Sequence, residues 1–212
     1  MRSLPKGKPD DVSPVESGVD PIREFVWSLL LWDSTRVKAS RAMERIDHHV
    51  VDYNELRISL PDEVQEVLGK RYPRCEDRSF IIQKSLNAIF LSQNDVSLEG
   101  LVKMPKREAR KALESFDATP PYVAARVMLL ALGGHAIPID DAMHERLLGE
   151  GVLEEGTDLK KAISLFERVV KAGDGHRVHA GMLKWIEKKL SRAGTRKKTT
   201  RKKTTRKKST KK

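Results

Sequence analysis

The segment Tyr122–Leu132 constrains the fold more than any other part of the chain. Arg126 is its only charged residue, Thr119-Pro120-Pro121 precedes it and Gly133-Gly134 follows it. The prolines suit a helix start, where a missing N–H costs nothing, and the glycines suit a stop. A helix apolar on nearly every side must be enclosed by other elements. The remaining segments therefore have to pack around this one.

They also read as helices. Asp20-Pro21 is an N-cap followed by proline, and Phe25, Leu29 and Trp32 then recur at helical spacing. A second helix is expected over Ser34–Ile46, and a short one opens at Ser59-Leu60-Pro61 and closes at Gly69. Asp77–Leu91 carries a stripe of Ile82, Leu86 and Ile89/Phe90. Lys106–Phe116, started by Pro105, turns Ala109, Ala112/Leu113 and Phe116 inward. Asp140 or Asp141 caps a helix bearing Met143 and Leu147/Leu148. Thr157 or Asp158 starts another, with Leu159, Ile163 and Phe166 inward, and Arg177–Leu190 is the last, with Met182, Trp185 and Ile186 inward. No stretch alternates strictly enough for a strand, so the predicted fold class is all-α. Trp27, Trp32 and Trp185 sit on apolar helical faces and read as core residues.

Charge divides the chain. Of 41 Lys/Arg, eleven lie between Thr195 and Lys212, where there is no Asp or Glu, leaving 30 against 30 acidic residues elsewhere. That tail repeats TRKKT, cannot build a core, and is expected to be disordered and to bind a polyanion, nucleic acid above all, without reading its sequence. Its contacts would come from Arg196, Lys197, Lys198, Arg201, Lys202, Lys203, Arg206, Lys207 and Lys208. The expected organisation is a disordered segment at 1–19, a helical domain at 20–192 and the tail at 193–212. Cys75 is the only cysteine, so neither an intrachain disulfide nor a four-cysteine cluster can form. No cofactor is expected. Asp47-His48-His49 and His176-x-x-His179 show no third ligand at a telling spacing and read as surface histidines. The start of the chain has no apolar signal core, and Phe25–Trp32 is too short to span a bilayer. The expectation is a cytoplasmic monomer, nucleoid-associated in a bacterium.

The order of segments from Phe116 to Ala142 resembles the helix–hairpin–helix DNA glycosylase superfamily that includes endonuclease III and the adenine-mismatch glycosylases. The family pattern is L-P-G-V-G-x-K-T-A, a buried helix, a glycine stop and V-D-T-H. Here it reads Phe116-Asp117-Ala118-Thr119-Pro120-Pro121-Tyr122-Val123-Ala124, then Leu132-Gly133, then Ile139-Asp140-Asp141-Ala142. The likeness covers about residues 20–190 in order and spacing, and is loose in identity. It implies that the hairpin, Thr119 included, faces a phosphate of duplex DNA and that Asp140 faces the sugar of a flipped nucleotide. The bare alternative for Asp140 is a plain helix cap. Tyr122 falls where bifunctional members carry their catalytic lysine. It cannot form a Schiff base, so the implied activity is base removal without strand cleavage. Its alternative is an aromatic packed at the hairpin. The hairpin glycines are replaced by Ala118 and Pro120, and Pro120 and Pro121 have no N–H for a phosphate. Lys103, Lys106, Arg107, Arg110 and Lys111 could supply that contact, or form a solvated face. Three readings stay open: a monofunctional glycosylase of base-excision repair, an inactive DNA-binding protein whose affinity comes mainly from its tail, or, if the segments around the hairpin do not form two helices in one domain, an unrelated helical protein with a chromatin-like tail.

Overall fold

The structure, a computed structural model, describes residues 19–187. Residues 1–18 and 188–212, and with them Arg196 to Lys208, lie outside the described part. The described residues contain helices and no strand.

Helix α1 (Pro21–Leu31) starts as expected, with the Asp20 side chain accepting from the Ile22 amide at 3.0 Å. Helix α2 (Arg36–His49) is capped by Thr35 and runs three residues past the expected end, because nothing in the chain stops it before Val50. Two helices were not foreseen, α3 (Tyr53–Ile58) and α6 (Glu99–Val102). Both are too short for a 3.6-residue period to show. Between them come α4 (Pro61–Leu68) and α5 (Cys75–Gln93). Then follow α7 (Lys106–Ser115), α8 (Pro121–Leu130), α9 (Asp141–Gly149) and α10 (Leu159–Val169). A last helix, α11, is helical from 175 to the end of the described part at 187.

Helices α1 and α8 lie against each other at the centre, flanked by α2, α5 and α7. Every residue of α8 except Pro121 and Ala125 is buried, which accounts for its composition. Gly133, at φ +64°, turns the chain out of α8 in the left-handed conformation that glycine adopts freely. Beyond it, Ile137, Ile139, Met143, Leu147, Phe166, Met182 and Ile186 form a second apolar cluster joining α9, α10 and α11. Leu183 packs against both clusters. Trp27 and Trp32 pack on the first and Trp185 on the second, each half-buried.

One expectation fails. His179 is not a surface histidine but is 2% exposed. It sits three and seven residues before Met182 and Ile186, on the same inward face of α11.

Candidate active site

Asp140 is the N-cap of α9, and its Oδ1 accepts from the Met143 amide at 2.8 Å. Its second oxygen is held from the other side of the molecule, by the Asp33 amide at 3.2 Å. The carboxylate is thus more than a local cap: it joins the start of α9 to the turn that follows α1.

The end of α1 is fixed by two side chains from the segment leading into and opening α5. Arg78, fully buried, donates to the carbonyl of Leu29 and to that of Trp32 at 2.6 Å. The Tyr72 hydroxyl donates to the Leu30 carbonyl at 2.6 Å. These carbonyls have no partner within the helix, and a cation beside them is favoured by the helix dipole. Burial pushes the Arg78 pKa down, yet guanidinium remains the charged form in proteins. The chain then enters Asp33 at φ +49°, with Asp33 Oδ2 paired to Arg74 at 2.9 Å and the Arg74 guanidinium 4.3 Å from the Trp32 ring centre. Asp33 Oδ1 is buried and makes no hydrogen bond.

Tyr122, in the first turn of α8, is 2% exposed, and its hydroxyl has no hydrogen-bond partner among the described residues. Burial raises its pKa strongly, and the charges of Asp140, Glu24 and Asp33 add to the shift while Arg126 opposes it. It is therefore a neutral phenol, able to donate and unable to act as a phenolate. Its ring lies 6.4 Å from that of His179. Arg126, one helical turn along, donates to Glu24, to Ser28 Oγ at 3.1 Å and to His179 Nε2 at 3.1 Å. Since Nε2 accepts, the imidazole proton sits on Nδ1, which is buried without a partner. Burial and the adjacent guanidinium hold His179 well below the ordinary histidine pKa, so it is neutral. Burial raises Glu24 and Arg126 opposes that shift.

Asp140 is 8% exposed. Burial raises its pKa, the Met143 amide lowers it, and the charge on Asp33 raises it further. Asp140 thus lies within electrostatic reach of Tyr122, which also neighbours Asp33, Arg126 and His179. Arg126 carried a signal, as the single charge in an apolar helix. His179 carried one in its spacing from Met182. Asp33 carried none, because only the folded chain brings it to residue 140.

The hairpin between α7 and α8 turns at Ala118, which holds φ +60° although it is not glycine. Its amide donates to Asp117 Oδ1 at 2.9 Å, and the Thr119 amide to the Phe116 carbonyl at 3.2 Å. Thr119 Oγ1 is buried without a partner. Asp117 is exposed, with Lys84 at 4.0 Å. On α7 and just before it, Lys103, Lys106, Arg107 and Lys111 are exposed and form no ion pair among the described residues. Arg110 instead pairs with Glu114 and Glu167, both at 2.9 Å. Among the described residues no group of His, Cys, Asp or Glu could hold a metal ion, and no helix is long and apolar enough to cross a membrane.

No protein-family model matches the sequence, and comparison with curated protein sequences gives no match either. Solved structures do match. A trapped endonuclease III–DNA covalent intermediate superposes with a TM-score of 0.64 at 14% identity, over 82% of this chain and 77% of that one. The Clostridium acetobutylicum 8-oxoguanine glycosylase/lyase gives 0.63 at 13% identity, over 81% of this chain and 61% of that one. A thermostable thymine-DNA glycosylase gives 0.57 at 17% identity, over 84% and 79%. The chain has the all-α fold of the helix–hairpin–helix DNA glycosylases.

Proposed function

We propose that the protein is a DNA-binding N-glycosylase of the base-excision-repair type, which hydrolyses the glycosidic bond of an extruded base and leaves the strand intact. One observation carries this reading. Inside a glycosylase fold, Asp33 Oδ1 and the Tyr122 hydroxyl, both close enough to act electrostatically on Asp140 or be acted on by it, are buried without a partner, and His179 Nδ1, in the ring beside Tyr122, is a third such atom. Buried polar groups left unpaired cost about 1–3 kcal/mol each, and a set of them near a carboxylate with a raised pKa supports a ligand site there.

The chemistry follows from the groups present. As the bond between sugar C1′ and the base breaks, its electron pair leaves with the base and positive charge grows on the sugar. The Asp140 carboxylate, little solvated, stabilises that charge. Water adds at C1′ and passes a proton to the carboxylate, the departing base takes up a proton, and an abasic sugar remains. Tyr122 offers a hydrogen bond from its neutral hydroxyl. It has no amine, so no imine forms and no strand is cut. Because Asp140 and Tyr122 are both closed over, substrate entry requires the 32–34 turn to move away from α9.

A second reading draws on that same closure. Both Asp140 oxygens accept from amides, and the hairpin offers few N–H groups. These features also fit a DNA-binding protein without catalysis, held mainly by its basic tail. A base-release assay separates the two. Duplexes bearing uracil, thymine opposite guanine, oxidised and alkylated bases are incubated with the protein and split with and without alkali. Nicks that need alkali support the glycosylase. Nicks without alkali would rule out the role given to Tyr122, and silence on every duplex that is bound would leave the second reading.

A further inference from the structure

A second cationic surface lies where the sequence analysis placed none. On α2, Lys38, Arg41 and Arg45 fall at i, i+3 and i+7 and so share one face. Lys70 and Arg71, from the connection between α4 and α5, close over the same depression of about 510 Å³, and no carboxylate lines it. Glu44 and Asp47 of α2 turn away from that depression and line a separate one with Asp20, Arg23 and Glu24. Among the described residues none of the five cations has an acidic partner. Arg45 donates to the Leu68 carbonyl at the end of α4, while its Nε is buried without a partner. Gly69, at φ +83°, lies over that guanidinium, and a Cβ there would come within 3.4 Å of it.

Five unpaired cations on one wall repel one another unless an anion joins them. From Lys38 to Arg45 the helix rises about 10 Å, at roughly 1.5 Å per residue. One DNA strand presents a phosphate about every 3.4 Å of axis, so about three phosphates match that length, where a single small anion does not. The depression also adjoins the active site. Tyr72 lines it, holds the Leu30 carbonyl and meets Ser34 Oγ at 3.4 Å, beside the turn whose Asp33 amide binds Asp140. The hairpin, with two prolines and an exposed aspartate, is poorly made for the same task.

The geometry points to this depression, between α2 and the α4–α5 connection, as the seat of a DNA phosphodiester backbone, taking over phosphate contacts that the hairpin lacks. The assignment rests on the proposed DNA-binding glycosylase function, and binding tests it apart from activity. In the full-length chain, Lys38, Arg41, Lys70 and Arg71 are changed together to Gln, and in a matched control Lys160, Lys161, Arg168 and Lys171 on and after α10 are changed likewise. Affinity for an undamaged duplex is measured from low to moderate salt. Each phosphate contact contributes about 0.9 to the slope of log affinity against log salt. The first variant should lose about two units of slope or more, and the control less than about half a unit. Equal losses in the two variants, or an unchanged slope in the first, would overturn the assignment. A third variant, K38R/R41K/K70R/R71K, should keep the full slope. If it loses as much as the Gln variant, charge is not the cause and the assignment fails. Binding through the depression with no base release would overturn the proposed activity alone. Base release with an unchanged slope would overturn this assignment alone.

Discussion

The hairpin before α8 and the junction of α1 with α9 both adjoin the first turn of one buried helix, and they use their polar groups differently. At the hairpin, the Ala118 and Thr119 amides are bonded within the turn and the next two residues have no N–H. The backbone of the turn is closed on itself, Thr119 Oγ1 is its one buried polar atom without a partner, and its tip carries a negative charge. At the junction, Asp140 is held by two amides, but Asp33 Oδ1 and the nearby Tyr122 hydroxyl, with His179 Nδ1 beyond it, are buried with bonding capacity unmet. The first arrangement is what a connection needs, and the second is what a ligand site needs.

The largest effect should come from the support beneath that junction. Arg126→Met leaves Glu24 as an uncompensated buried charge, and a loss of about 3–5 kcal/mol is expected in urea unfolding. Adding Glu24→Gln should restore a good part of it. If Arg126→Met alone melts like the unmodified protein, the buried network is not structural. Next in size is a pH effect. His179 has a folded pKa well below its unfolded value of 6.5, so the unfolded chain binds the extra proton first. Its contribution to stability is complete above that unfolded value and falls as pH drops below it, by up to about 1.4 kcal/mol per pH unit. His179→Phe should remove that slope, read as the difference between the two stability–pH profiles. Asp140 works the other way. Its raised pKa should place the acid limb of base release above the ordinary aspartate range near 3.9. A limb at or below that range would mean that another group controls it. The smallest effect belongs to the hairpin. Ala118→Gly relieves a left-handed alanine and should stabilise by about 0.5 kcal/mol. DNA affinity should not change, since the amide at 118 stays bonded to Asp117.

Much of this contrast was legible in the sequence. Pro120-Pro121 and Gly133-Gly134 bracket α8, and Arg126 stood out as its one charge. The replacements at Ala118 and Pro120 announced a changed hairpin, and Tyr122 in place of a lysine is the basis for proposing base removal without strand cleavage. Three things were not legible. His179 is polar by type and was placed at the surface, although its spacing from Met182 and Ile186 puts it inside. Asp33 reaches Asp140 across 107 residues of chain, a pairing that only packing of α1 on α8 creates. The basic depression joins α2 to a connection 23 residues or more away, and no local charge run announces it. Local signals fix where helices begin and end, whereas the site is made by what the helices bring together.

Asp140→Asn tests the central claim most directly, because Asn still accepts from the Met143 amide and caps α9. Its amide group faces the Asp33 N–H in place of the second oxygen, while a buried charge is removed. These changes oppose each other, so stability should shift by less than about 1 kcal/mol. On whichever duplex the unmodified protein acts, base release should fall by at least about two orders of magnitude with DNA affinity retained. Undiminished base release from a folded Asp140→Asn protein would contradict the account and leave Asp140 a helix cap.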